Sequence, residues 1–371
     1  MAVVRVPFAG VAGENESLLA DFLSPLSAQL RSGQFIGGGE VAAFEGRIAE
    51  LHDVAHAVAV NSGTDALRLV LRALGIEAGA TGITVANTFV ATAGAMISEG
   101  LRPLLVDVAD DENIDVEALD RAITADTRVV IAVHLRGLPA RIGAIRDLCA
   151  RRGVLLVEDC AQAILASSDG VPVGGFGIAG CFSLHPLKNL GACGDAGVVV
   201  TDDDELAREL RLLRNHGLQD RDTVVRWGEN SRLDSLQACL LNIKLSHLEE
   251  WTKRRRDLAQ IYDEGLSGLP ITTPVVGGNA VHVYHRYVIR TDQRAELQAH
   301  LRNSGIETAI HYPVPIHRQP AAGDGSVEVA AGGLPVTEKQ AAEILSLPLH
   351  PALDERQIHL VVQEMNAFFG N

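Results

Sequence analysis

The sequence has no apolar run of the roughly 20 residues that a transmembrane helix needs. The apolar run of its N-terminal MAVVRVPFAG is too short for a signal peptide. Aromatic residues make up only 4% of the chain, so an aromatic beside a motif carries extra weight. Excess positive charge is absent as well. The formal net charge is −15, which argues against a general binder of nucleic acid or anionic membrane, since both need a basic footprint. A local basic pocket for a phosphorylated small molecule is still compatible with that charge. The five cysteines, Cys149, Cys160, Cys181, Cys193 and Cys239, contain no CxxC pair and are odd in number. This pattern fits reduced, mostly buried thiols in a cytoplasmic protein better than a disulfide framework. There is no internal repeat and no low-complexity tract, and no metal site is expected.

What is present is an alternation of strands and helices. With 371 residues, 47% of them hydrophobic, the chain can build one large domain and a smaller one. HAVAV (56–60) reads as a buried strand. In the NSGTDALRLVLRALG that follows, Leu67, Val70, Leu71 and Leu74 share one face of a helix that Gly75 can end. Further strands are expected at TGITVANTF, 102–108, 128–135, 153–160, 180–184 and 196–203. Helices are expected near 91–99, 115–123, 140–152 and 203–215. Strands that alternate with helices and are apolar on both faces indicate a mainly parallel sheet covered on both sides. Residues 62–64, 87–89, 134–137 and 159–162 then lie at carboxyl ends of strands, where such sheets bind ligands. One long helical pattern runs from Arg232 to about Leu266. After it, VYHRYVIRT and IETAIHY read as strands and DQRAELQAHLRNSG as a helix. Residues 321–333 read as a loose loop.

Three features carry chemistry. NSGTDAL offers hydroxyls and free N–H groups at a helix N-terminus, which suits a phosphate, although Ser and Thr there are also ordinary helix caps. Asp159 ends an apolar strand, with Glu158 pointing to the opposite face. It suits either a positively charged heterocycle nitrogen or a cap or surface ion pair. Lys188, in SLHPLKNLGACGDAG, stands among small and apolar residues. Burial of such an ammonium lowers its pKa and makes the amine a nucleophile. A lysine that forms a Schiff base with pyridoxal phosphate (PLP), with an Asp on the pyridinium nitrogen, is a known cofactor arrangement. The turn, the Asp and the Lys occur here in the order that arrangement uses.

On these residues the chain resembles the DegT/DnrJ/EryC1/StrS family of sugar aminotransferases, fold-type I PLP enzymes of the aspartate aminotransferase superfamily. Ten blocks match in the family's order, among them SGQFIGGGEVAAFE, ANTFVATAGAM, VEDCAQA, GENSRLDSLQACLLNIKL and HYPVPIHRQPA. The resemblance implies an α/β fold: a large domain (1–245) with a mainly parallel seven-stranded sheet between helices, and a smaller C-terminal α/β domain (246–371). It implies that Lys188 is the Schiff-base lysine, that Asp159 partners the pyridinium nitrogen, and that Gln162 lies beside the cofactor's phenolic oxygen. It implies that Phe89 stacks on the ring and that Gly63, Thr64 and Ser183 contact the phosphate. Asn230 matches an asparagine that reaches the phosphate from the neighbouring subunit, which implies a homodimer with shared sites. His185 matches a histidine near the cofactor, with no fixed role.

The implied reaction is a ping-pong transamination through a Lys188 aldimine. L-glutamate or L-glutamine is the donor, and a keto-sugar nucleotide is the acceptor. A ketocyclitol acceptor, or a PLP-binding regulatory protein without turnover, is the alternative. A dehydratase relative would carry histidine in place of Lys188. Departures from the family pattern fall at Arg136 (HLRGL) and at the run Gly37–Gly39. Both are expected to bear on the acceptor, with Arg136 meeting an acidic substrate or forming a surface pair.

Overall fold

The computed structural model describes residues 4–370. Its strands are β1 (His56–Val60), β2 (Thr81–Val85), β3 (Arg102–Val106), β4 (Thr127–Val133), β5 (Leu155–Asp159), β6 (Ser167–Ser168), β7 (Val171–Pro172), β8 (Ala179–Ser183), β9 (Gly197–Thr201), β10 (Tyr287–Arg290), β11 (Glu328–Val329) and β12 (Ile344–Leu347). Its helices are α1 (Val11–Ser17), α2 (Leu19–Ser32), α3 (Gly39–Leu51), α4 (Gly63–Ala73), α5 (Ala91–Ser98), α6 (Val116–Ala122), α7 (Ile142–Arg152), α8 (Asp204–Leu213), α9 (Ser235–Leu245), α10 (Leu248–Gly265), α11 (Arg294–Asn303), α12 (Pro335–Glu343) and α13 (Glu355–Phe369).

Eight strands form the central sheet in the order β1-β9-β8-β5-β4-β2-β3-β11. All neighbours pair in parallel except β9, which runs antiparallel to both β1 and β8. The two-residue period of a strand divides its side chains between two cores. Ala57, Ala59, Val198 and Val200 pack on one face with Phe44, Ile48 and Leu241. Val58, Val60 and Val199 pack on the other with Leu67, Val70 and Leu210. A further core gathers Ile83, Val85, Val130, Ile142 and Ile145. The interleaved helices are therefore held on both faces by the same alternation that reads as a buried parallel sheet in the sequence.

The sheet has eight strands rather than the expected seven. The added edge comes from the segment read as a loose loop: Glu328 and Val329 pair in parallel with Leu104 and Leu105. A 3.2 Å ion pair from Arg102 Nη1 to Glu328 Oε1 ties them down. Two residues are too short a run for any periodicity to show.

The expected long helix is two helices, α9 and α10, separated at Ser246–His247. Their partners differ: α9 packs on α2 and α3, whereas α10 packs on α13. No Gly or Pro marks the break, so the helical pattern runs through it. IETAIHY forms no strand; it makes only two isolated bridges, Ile306 to Val6 and Ala309 to Ser346. VYHRYVIRT is a strand only over Tyr287–Arg290, paired antiparallel with β12. Its first half is held out of the sheet and lines the site described below. Around β10 and β12 lies a separate core of Leu258, Tyr262, Tyr287, Leu297, Leu345, Ile358 and Met365, joined by Val6 from the other end of the chain. No helix among the described residues is long and apolar enough to cross a membrane.

Candidate active site

The carboxyl ends of β1, β5 and β8 open into one cavity of about 420 Å³. The turn after β1 sets its first wall. Ser62 caps α4 by accepting a 3.1 Å hydrogen bond from Asp65 N, so its hydroxyl serves the helix. Gly63 follows as the first helical residue. A Cβ there would lie 2.6 Å from Ser183 Cβ, so only glycine lets α4 approach β8 this closely. Gly63, Thr64 and Ser183 meet at the cavity wall, beside the N-terminal dipole of α4.

Asp159 ends β5 with its side chain buried toward the cavity. Thr92 Oγ1 donates to Asp159 Oδ2 at 2.8 Å, and Ala161 N donates to Oδ1 at 3.1 Å. Burial pushes the Asp159 carboxyl above its ordinary range, and Thr92, Ala161 and the charge of Lys188 oppose the shift. Glu158 takes the opposite face, as its alternation requires. It accepts from the backbone N–H groups of Gly174, Phe176 and Gly177 and pairs with His134 Nε2 at 3.0 Å. Those bonds hold the 174–177 segment behind β5.

Lys188 lies on the turn after β8, where its backbone N–H donates to His185 O at 2.8 Å. Its side chain is half-buried in the cavity wall. Desolvation lowers its pKa to about 8; Asp159 works against that shift and Arg286 adds to it. The single lysine of the SLHPLKNLGACGDAG stretch is thus an amine with far more neutral form near physiological pH than an ordinary lysine.

Gln162 Oε1 accepts a 2.6 Å bond from Arg136 N, and Gln162 Nε2 donates to the Tyr312 hydroxyl at 3.4 Å. Phe89 is about half exposed at the cavity mouth, its ring centroid 5.8 Å from that of Tyr312. His185 is exposed on the wall and its Nδ1 accepts from Leu187 N at 3.2 Å. Asn230 is not in this cavity. It lies exposed on a separate loop, where Oδ1 accepts from Arg232 Nε at 3.1 Å.

Arg136 departs from both expectations placed on it. It is buried, pairs with buried Glu112, and its Nη2 donates to His311 O at 3.4 Å. A guanidinium out of water needs a counter-ion, and Glu112 supplies one within the fold. The glycine run is also structural: Gly37 and Gly38 have φ of 66° and 84°, and Ser235 Oγ donates to Gly37 O at 2.6 Å.

Thr92, Asp195, His285, Arg286, His311 and Tyr312 also line the cavity and were not singled out in the sequence. HYPVPIHRQPA was legible as a block, and within it the aromatic Tyr312 was the available signal. Thr92 and Arg286 carried none, because each lies inside an ordinary helical or strand pattern.

These residues fit PLP. The side-chain-free wall at Gly63 with the Ser183 hydroxyl suits its phosphate, the buried Asp159 carboxylate suits its ring nitrogen, and the Lys188 amine suits its aldehyde. Fold and site together define a PLP-dependent enzyme of fold type I. Residues 17–366 match the DegT/DnrJ/EryC1/StrS aminotransferase family. The chain belongs to that family and is a PLP-dependent aminotransferase.

Among its relatives is a dTDP-3-amino-3,4,6-trideoxy-alpha-D-glucose transaminase of Streptomyces venezuelae, 42% identical over 361 residues, covering 96% of this chain and 94% of that one. Another is a pleiotropic regulatory protein of Geobacillus stearothermophilus, 39% identical over 371 residues, covering 99% of each. Among solved structures, S. venezuelae DesV in complex with a ketimine intermediate superimposes with a TM-score of 0.96 at 40% identity, covering 100% of both chains.

Proposed function

We propose that this aminotransferase moves an amino group from L-glutamate or L-glutamine to the keto group of a nucleotide-linked deoxysugar. The carrying observation is that an amine with a pKa of about 8 and a buried, hydrogen-bonded carboxylate face one cavity. The dTDP-sugar transaminase relative supports the nucleotide-sugar acceptor. The complete catalytic set favours turnover over PLP binding alone.

PLP, when bound, supplies the aldehyde that carries the amino group and the ring that accepts electron density. Asp159, fixed by Thr92 and Ala161, holds the proton on the ring nitrogen. Lys188 Nζ removes the proton from the donor's Cα and returns it on the cofactor side, acting as base and then acid. Gly63, Thr64 and Ser183 would hold the phosphate, Phe89 would cover the ring, and Gln162 would serve the phenolic oxygen. His185 borders the same space. Asn230, exposed and outside the cavity of its own chain, serves the site of a second copy, so the working unit is a homodimer. The break between α9 and α10 supports a division into a large domain, 1–245, and a small one, 246–371. Five unpaired cysteines, four of them buried, support a cytoplasmic setting.

A panel of keto-sugar nucleotides of different regiochemistry and ketocyclitols, each incubated with holoenzyme and L-glutamate, tests the reading. The expected result is a mass shift to the amine on a sugar nucleotide. Amination of ketocyclitols alone would overturn the acceptor assignment.

A further inference from the structure

Arg136 is buried but does not itself line the active cavity. It reaches that cavity through its neighbours. Its Nη1 pairs with Glu112. Its backbone N–H donates to Gln162 Oε1 at 2.6 Å, its carbonyl accepts from Arg286 N at 3.4 Å, and its Nη2 donates to His311 O at 3.4 Å. Gln162, Arg286 and His311 all line the cavity. The last two lie beyond the α9–α10 break, so one residue joins both halves of the chain at the site. Arg286 is buried too, yet its guanidinium forms no ion pair among the described residues, and its Nη1 donates to its neighbour's carbonyl, His285 O, at 3.4 Å.

The anchor of Arg136 is itself fixed. Glu112 is buried, its carbonyl accepts from Asn87 Nδ2 at 2.8 Å, and its Oε1 lies 3.9 Å from Arg290 Nε on β10. Arg136 needs such an anchor. Its φ is 61°, in the left-handed region that residues other than glycine rarely adopt. Without the Glu112 pair, the turn at 135–137 can relax toward ordinary φ, and the Arg136 N–H then leaves Gln162. Gln162 depends on that contact. The Arg136 N–H engages Oε1, so Nε2 must point the other way. Nε2 donates to the Tyr312 hydroxyl at 3.4 Å and carries a second hydrogen for the cavity. Tyr312 in turn follows His311, whose carbonyl Arg136 Nη2 holds.

We propose that Arg136, anchored by Glu112, is a positioning residue: it fixes the Gln162 amide with its NH2 group toward the cofactor's phenolic oxygen and holds the His311–Tyr312 segment against it. The inference rests on the reading that assigns Gln162 to that oxygen. A donor fixed on the phenolic oxygen stabilises its negative charge. It therefore competes with the proton held between that oxygen and the Lys188 nitrogen, and lowers the pKa at which this proton is lost. An amide free to flip or rotate loses that effect.

The test reads the pH midpoint of cofactor absorbance in the holoprotein, which reports that proton and not turnover. Gln162→Leu removes the donor and should raise the midpoint by roughly one pH unit, the size of a hydrogen bond to a charged group. The paired variant Glu112→Gln with Arg136→Gln removes the anchor and leaves the net charge unchanged, so a change in the surrounding field does not mimic the effect. It should raise the midpoint in the same direction. Arg136→Lys keeps a cation facing Glu112 but lacks the fork, and should give a smaller rise. Added to Gln162→Leu, the paired variant should produce no further rise, because its effect runs through the Gln162 amide. Thermal unfolding of the apoproteins shows which variants fold, and Arg136→Lys carries the comparison if the paired variant does not. A midpoint unmoved by the Arg136 variants, or a rise that persists in full on top of Gln162→Leu, would overturn the positioning role. A midpoint unmoved by Gln162→Leu would instead overturn the assignment of Gln162 to the phenolic oxygen, and this inference with it.

Discussion

Thr92 Oγ1 donates a 2.8 Å hydrogen bond to Asp159 Oδ2, and both residues are buried. They are 67 residues apart in the chain. The hydroxyl lies on α5 and the carboxylate ends β5, so the packing of α5 sets the direction in which the acid points. Thr92→Val keeps the shape and removes the donor. The carboxyl pKa, already raised by burial, then rises further, and Asp159 holds less negative charge at a given pH. A hydrogen bond to a charged group is worth about 1.5–3 kcal/mol, so the PLP Kd should rise roughly ten-fold or more. Titration of apoprotein with PLP checks this. The loss should be greatest at low pH, and Thr92→Ser should repair it.

Lys188 has a pKa of about 8, against 10.5 for a free lysine. The shift is downward, so the neutral amine is already abundant above pH 8, where an ordinary lysine remains protonated. The rate at which apoprotein captures PLP should rise with pH through about 8 and then level off. A rate that keeps climbing toward pH 10 would show an unperturbed amine. Lys188→Ala should abolish turnover and leave PLP reversibly bound, readable by dialysis.

Gly63→Ala places a methyl group 2.6 Å from Ser183 Cβ and 3.0 Å from Ser183 Cα. Backbone and Cβ cannot swing aside as the end of a long side chain can, so α4 must move away from β8. The expected destabilisation is about 1–3 kcal/mol, seen in thermal unfolding of the apoprotein, with weaker PLP binding alongside.

Glu112 and Arg136 form a buried ion pair. Glu112→Gln leaves the guanidinium without its counter-ion and should cost about 3–5 kcal/mol in denaturant unfolding. Replacing both partners with uncharged residues should cost less than that single change. A double-mutant cycle measures the difference.

Asn230 offers a test of shared sites. Lys188→Ala and Asn230→Ala proteins, each impaired alone, are mixed and allowed to exchange subunits. In a heterodimer one site carries both defects and the other carries none. Activity should recover to about a quarter of wild type for random exchange between equal amounts. No recovery would show that each chain completes its own site.

Much of the site was legible because its parts sit at short-range landmarks. Ser62, Gly63 and Thr64 mark a strand-to-helix turn, Asp159 ends an apolar strand, and Lys188 is isolated among small residues. The parts that were not legible depend on distant pairing. Arg136 looked like a substrate or surface group because nothing near it in sequence names Glu112, 24 residues upstream. The edge strand at Glu328–Val329 was hidden because two residues carry no period. The α9–α10 break was hidden because it follows from different packing partners rather than from a helix breaker.

The sequence by itself determined the alternation of strands and helices, the order of phosphate turn, acid and lysine, and the family to which they point. These are matters of local periodicity and residue type. Only the tertiary structure decided which groups face one another. It brought Thr92 to Asp159, buried Lys188 enough to lower its pKa, gave Arg136 a counter-ion and left Arg286 without one. Desolvation and charge pairing depend on distance through space, and chain order does not carry that distance.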